Sequence, residues 1–167
     1  MAYSTIQIGS KYSESYKVYV TADGKPISPF HDIPLRSGRY VNCVNEIPRF
    51  ERAKLEISKS EPFNPIMQDV KKGRVRFVGN IYPFFGYQFN YGALPQTWEC
   101  PRSRDEWCGA YGDNDPIDVL DIGTRRKDVG EVYEAKVLGV LGLLDDGEAD
   151  WKIFVIDTQD KMAGEIN

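Results

Sequence analysis

Histidine is nearly missing from this sequence: His31 is the only one among 167 residues. Beside Phe30 and Asp32 it reads as a surface or structural group, so a histidine-based phosphoryl relay lacks its parts. Cysteine is almost as scarce. Cys43, Cys100 and Cys108 are odd in number and keep no CxxC spacing. That excludes a secreted disulfide framework and a zinc site, and leaves free thiols in a reducing compartment. No GxSxG, HExxH, GxxxxGK[ST] or GxGxxG string occurs, so serine hydrolysis, P-loop nucleotide hydrolysis and dinucleotide binding have no support. Positive charge is in deficit, with 21 Lys and Arg against 25 Asp and Glu for a net charge of −4. A chain of that balance has no general attraction to nucleic acid or anionic membranes. The longest apolar run, Val137 to Leu144, contains two glycines and is too short to span a bilayer. Met1 to Ser10 has neither the basic nor the apolar region of a signal peptide. A single cytoplasmic domain is the expectation.

What is present is short strands parted by turn chemistry. At 41% hydrophobic and 28% charged, the chain can bury a core and stay in solution. Tyr16 to Val20 alternates and stops before Asp23-Gly24, and Val41 to Ile47 stops at Pro48. Ala53 to Ile57 puts Leu55 and Ile57 on one face and Lys54 and Glu56 on the other. Lys71-Lys72-Gly73 turns into Arg74 to Val78. Gly86 to Tyr91, Val119 to Ile122, Glu131 to Leu144 and Trp151 to Ile156 complete the set, with Gly139 and Gly142 as bend points in the longest. Pro62 and Pro65 make their stretch a loop. Only residues near 61–72 and 158–166 could hold helix. The pattern predicts a mainly β fold: a small, closed or nearly closed antiparallel, OB-like β-barrel with short peripheral helices.

The densest acidic string is Gly112-Asp113-Asn114-Asp115-Pro116-Ile117-Asp118. Asp113 and Asp115 share a face if the segment is extended, and Pro116 bends the chain so that Asp118 can come round. Three converging carboxylates repel one another unless hard cations such as Mg²⁺ or Mn²⁺ join them. An EF-hand loop is excluded because Asp118 takes the place of its turn glycine and Thr124 that of its final Glu. Spacing alone leaves open a metal site and a solvated acidic loop. Asp145 to Asp150 is a second acidic string. Asp150 and Lys152 lie two apart and point the same way, which suits either a solvent-exposed hairpin or the remaining oxygens of a multi-metal site. Lys54 with Glu56, and Arg76 after Arg74, are solvated strand faces or an Arg–Lys clamp on phosphate. Tyr87 and Tyr91 are rim aromatics or phenols that donate to phosphate. With so few other reactive groups, this kit suits metal-assisted attack of water on phosphorus.

At these residues the sequence resembles the soluble family I inorganic pyrophosphatases, and their eukaryotic branch in particular. Asp113-Asn114-Asp115-Pro116-Ile117-Asp118 is similar to the family signature D-[SGDN]-D-[PE]-[LIVMF]-D. Ser28 to Pro34, Glu46 to Arg49, Asn64 to Ile66, Gln68 to Gly73, Asn90 to Ala93 and Asp150 to Lys152 match in family order. The resemblance implies Mg²⁺-dependent hydrolysis of diphosphate, several Mg²⁺ per site with Mn²⁺ as a substitute, no nucleic-acid or membrane partner, and a homodimer. It implies that Asp113, Asp118 and Asp150 ligate one metal, that Asp118 bridges to a second, that Asp145 and Asp150 hold a third, and that Glu56 reaches a fourth through water. Asp115 would deprotonate the attacking water and Tyr87 would donate a proton. Lys54, Arg76, Tyr91 and Lys152 would bind diphosphate, with Glu46 completing the polar cavity. Phe50 stands where that branch usually has Trp at its dimer contact. The family's carboxy-terminal helix and its Tyr-Lys pair on the leaving phosphate have no counterpart up to Asn167, and a molecule ending there is expected to be a weakened enzyme.

Overall fold

The computed structural model describes residues 2–166. Five strands close into a ring: β5 (Tyr40–Ile47), β10 (Asn90–Ala93), β11 (Asp118–Asp121), β13 (Glu148–Asp157) and β12 (Val132–Asp145), which returns to β5. Every pair around the ring is antiparallel except β11 with β13, which run parallel. A short strand, β4 (Arg36–Ser37), pairs antiparallel with the start of β5. The second sheet runs β1 (Tyr3–Ile8), β2 (Lys17–Ala22), β7 (Ile66–Gln68), β6 (Leu55–Ile57), with β3 (Lys25–Pro26) paired to β2. A separate hairpin joins β8 (Val70–Lys71) to β9 (Arg74–Val75).

Two apolar cores follow from the strand alternation. Val41, Cys43, Val119, Tyr133, Ala135 and Val155 pack together from the strands of the ring. Val18, Val20, Leu55, Ile57 and Ile66 of the second sheet pack against Val44, Ile47 and Ala93 of the ring. Each fully buried Val, Leu or Ile contributes about 1.5–3 kcal/mol. β6 shows how the cores place the site: Leu55 and Ile57 are buried while Glu56 between them is exposed.

β12 is one bent strand, with its register to β13 shifting between Val137 and Gly139. Its hairpin to β13 turns on Asp146 and Gly147, whose φ angles of 49° and 90° give the two-residue turn that suits the strands' twist. That turn sets Leu143 opposite Asp150 and Leu141 opposite Lys152. It therefore decides which way the second acidic string faces.

The expected helices do not form among the described residues. In 61–72 the chain leaves the Pro62–Pro65 loop directly into β7, whose backbone is taken up by pairing with both β2 and β6. In 158–166 the chain makes successive turns instead. The Asp160 carboxylate accepts the Met162 and Thr124 backbone N–H groups at 2.9 Å and 2.6 Å, a side-chain competitor to regular helix bonding. Two strands are also shorter or displaced: Arg74–Val75 leaves Phe77 only bridged to Ala53, and the aromatic stretch becomes strand at Asn90–Ala93.

Candidate active site

One open cavity of about 720 Å³ lies at the end of the ring, where β11 and β13 run side by side. Glu46, Lys54, Glu56, Arg76, Tyr87, Tyr91, Asp113, Asp115, Asp118, Asp145, Asp150 and Lys152 all line it. Strand geometry gathers them from distant parts of the chain. Lys54 and Glu56 come from β6 and its entry, Tyr91 from β10, Asp118 from the first residue of β11, and Asp150 and Lys152 from one face of β13. Parallel pairing puts Asp118 beside Lys152. Leu120, Leu141, Leu143 and Leu144 add an apolar wall.

Lys152 is the hub of the acidic side. Its ammonium lies 2.7 Å from Asp150 Oδ1 and 3.1 Å from the Tyr91 hydroxyl, and it pairs with Asp118 as well. Tyr91 donates its own hydroxyl to Asp118. Burial lowers the affinity of the Lys152 amine for its proton, but the Asp118 and Asp150 carboxylates outweigh it and the ammonium is held charged. Burial in turn pushes Asp118 up against the opposing pull of Lys152. Lys54 sits 3.2 Å from Glu56, with its ammonium 5.4 Å from the centre of the Tyr91 ring. Arg76 is paired with Asp69 at 2.5 Å. Tyr87 stacks on Phe89 at 5.1 Å and meets the Tyr91 ring at a tilt, 5.4 Å between centres.

The Asp113–Asp115 segment is not extended. Asn114 takes a φ of 67°, and Asp113 Oδ1 accepts the Asp115 N–H at 3.0 Å, so the two acids sit on a tight turn. Asp115 is half-exposed and meets the Lys59 ammonium at 2.8 Å. Burial, and then the charges of Asp115 and Asp150, push Asp113 up to about 6. Glu46 is buried with Oε1 accepting the Ile57 N–H at 2.7 Å. Burial, and then the charge of Asp118, push it up to about 8.

Sequence reasoning passed over two groups. Lys59 follows β6 in a loop and carries no periodic signal. Glu99 lies in the loop after Trp98, yet it is buried, and Glu99, Asp113 and Asp150 offer carboxylate oxygens all within 4.8 Å of one another. Burial, followed by the charges of Asp113 and Asp150, pushes Glu99 up to about 7 against the Trp151 N–H that it accepts. Glu99 lies outside both acidic strings and carries no periodic signal in the sequence. The donors gathered here are carboxylates, hard oxygens of the kind that Mg²⁺ and Mn²⁺ prefer, with no sulfur or imidazole among them. The crowding of like charges leaves a local deficit of positive charge of the kind that a hard cation could offset.

The sequence profile described as "Inorganic pyrophosphatase" matches residues 43–167. The chain is 63% identical to the inorganic pyrophosphatase of Encephalitozoon cuniculi, over 99% of this chain and 61% of that protein. It is 55% identical to that of Kluyveromyces lactis, over 100% of this chain and 59% of that protein. The solved inorganic pyrophosphatase of Schistosoma japonicum superposes with a TM-score of 0.94 at 48% identity, covering 98% of this chain and 59% of the other. An N-terminally truncated Trypanosoma cruzi vacuolar soluble pyrophosphatase, solved in complex with PPi, gives 0.88 at 40% identity, covering 99% and 68%. The chain thus spans about 60% of the length of the curated relatives it matches.

Proposed function

The chain belongs to the inorganic pyrophosphatase family, and we propose from that premise that it hydrolyses inorganic diphosphate to two phosphates with Mg²⁺ as cofactor. The observation that carries the reading is a cavity shared by aspartates and by Lys54, Arg76 and Lys152. A substrate bearing several negative charges needs the basic side, and an acidic side is tolerable to it only when cations sit between them.

We assign the first metal to Asp113, Asp118 and Asp150, a second to Asp118, a third to Asp145 and Asp150, and a fourth to the side of Glu56. When bound, these cations acidify water and neutralise charge on the leaving phosphate. Asp115 accepts the proton of the attacking water as its oxygen bonds to phosphorus. The bridging P–O bond breaks, and Tyr87 supplies the proton that the departing phosphate takes up. Lys54 and Arg76 hold phosphate oxygens, the guanidinium in a planar fork. With a cation held by Asp118 and Asp150, the Lys152 ammonium would be released to meet a phosphate oxygen beside the Tyr91 hydroxyl. Glu46, held by the Ile57 N–H, closes the inner side of the cavity. Mn²⁺ is the expected substitute, having the same preference for oxygen.

The three cysteines are unpaired, which suits a reducing cytosol. No helix of the described residues is long and apolar enough to cross a membrane. A homodimer is in keeping with Phe50, 46% exposed and stacked at 6.2 Å on Phe84.

The test is phosphate release from diphosphate in Mg²⁺ beside a phosphate monoester such as p-nitrophenyl phosphate. Release from diphosphate alone is expected. Recovery of diphosphate intact from its complex would reduce the cavity to a polyanion-binding site.

A further inference from the structure

Glu99 has one carboxylate oxygen in use and one without a partner. Oε1 accepts the Trp151 backbone N–H at 2.9 Å. Oε2 is buried and has no hydrogen-bond partner among the described residues. The residue as a whole is 7% exposed. A buried carboxylate oxygen left unpaired is costly, and such atoms in native proteins mark a missing water, ion or function. Here the neighbouring oxygens belong to Asp113 and Asp150, so what is missing is positive.

The backbone of Glu99 binds the first acid-bearing segment, while its side chain binds the second through Trp151. The Glu99 N–H donates to the Asp115 carbonyl at 2.8 Å, and the Glu99 carbonyl accepts the Asn114 N–H at 3.0 Å. Gly112 packs so close that a Cβ there would fall 2.3 Å from the Glu99 carbonyl carbon, so no larger residue fits. Gly112 also bridges to Ala149 in parallel, next to Asp150. Glu99 thus fastens the Asp113 turn to β13, and its carboxylate lies with those of Asp113 and Asp150, one oxygen of each within 4.8 Å of the others.

We propose that Glu99 is a carboxylate ligand of the divalent cation held by Asp113 and Asp150, joining that cation's site with its unpartnered Oε2. The inference rests on the metal-site reading above and adds to it a ligand that comes from neither acidic string. A purely structural Glu99, serving only to anchor Trp151, makes a different forecast. In Glu99→Gln the amide oxygen still accepts the Trp151 N–H, while the anionic ligand is lost.

The probe is Mn²⁺ alone, titrated into the metal-free protein with free Mn²⁺ followed by electron paramagnetic resonance. Glu99→Gln weakens the tightest Mn²⁺ site by about 10-fold or more. Its melting temperature in EDTA is equal to or above wild type, because one of three crowded like charges is gone. Unchanged Mn²⁺ affinity in Glu99→Gln, with affinity lost in Asp113→Asn, overturns the proposal and spares the site. Unchanged affinity in both overturns the metal reading itself. If Glu99→Gln does not fold, Glu99→Asp decides: with the charge kept but withdrawn by one methylene, weaker Mn²⁺ binding supports ligation and wild-type binding overturns it.

Discussion

The Lys152 ammonium rests 2.7 Å from Asp150 Oδ1, two residues back along the same strand. It shares that position with Asp118, so one partly buried cation offsets two carboxylates. Lys152→Met leaves both uncompensated. In EDTA the variant is expected to lose stability, by less than the about 3–5 kcal/mol that breaking a fully buried pair from one side costs, because water reaches part of this one. Saturating Mg²⁺ recovers part of the loss, because binding to the folded state alone stabilises it. Urea unfolding with and without Mg²⁺ measures both effects; an unchanged midpoint in EDTA would count against the pairing.

Asp115 and Asp118 separate by role. Asp115→Asn keeps the shape but cannot accept a proton, and turnover is expected to fall about 10²–10⁴-fold with metal affinity little changed. Asp118→Asn removes the proposed bridging anion, so its larger effect falls on metal binding. The reverse order in turnover and Mn²⁺ titration would show the roles to be misassigned.

Glu46 gives a pH signature. Its carboxyl stands at about 8 in the folded protein against 4.5 for an ordinary glutamate. The folded state binds that proton more tightly, so its stabilising contribution is complete below pH 4.5 and lost as pH rises through 8. Glu46→Gln cannot ionise and its amide oxygen can still accept the Ile57 N–H. In EDTA the variant therefore gains on wild type as pH rises from about 5 to 8, at up to about 1.4 kcal/mol per unit. Parallel curves from urea unfolding at several pH values would refute the assignment.

Ca²⁺ is expected to bind the cavity and oppose turnover. It takes looser and longer coordination than Mg²⁺, which misplaces water relative to Asp115. Adding Ca²⁺ to a Mg²⁺-supported assay should lower the rate; a Ca²⁺-supported rate equal to that in Mg²⁺ would contradict this.

Much of the site was legible because strand alternation is a local rule. Lys54 with Glu56, and Asp150 with Lys152, share a face by period alone, and both pairs do meet. The hairpin turns could be read from Asp23-Gly24 and Lys72-Gly73, where β3 and β9 begin just after. Glu99 could not be read, since its burial comes from loops that fold back onto Gly112 and β13. The parallel pairing of β11 with β13, which sets Asp118 beside Lys152, is a long-range choice that no short pattern records. The helices expected in 61–72 and 158–166 failed for a related reason. Pairing with β2 and β6 in one case, and capture by Asp160 in the other, overrode weak local propensity.

The most direct measurement is phosphate release from diphosphate by the same preparation in Mg²⁺ and in excess EDTA. Steady release in Mg²⁺ that stops in EDTA and returns when Mg²⁺ is restored is the predicted result. Equal release in both, or none in Mg²⁺, would contradict metal-dependent diphosphate hydrolysis in this cavity.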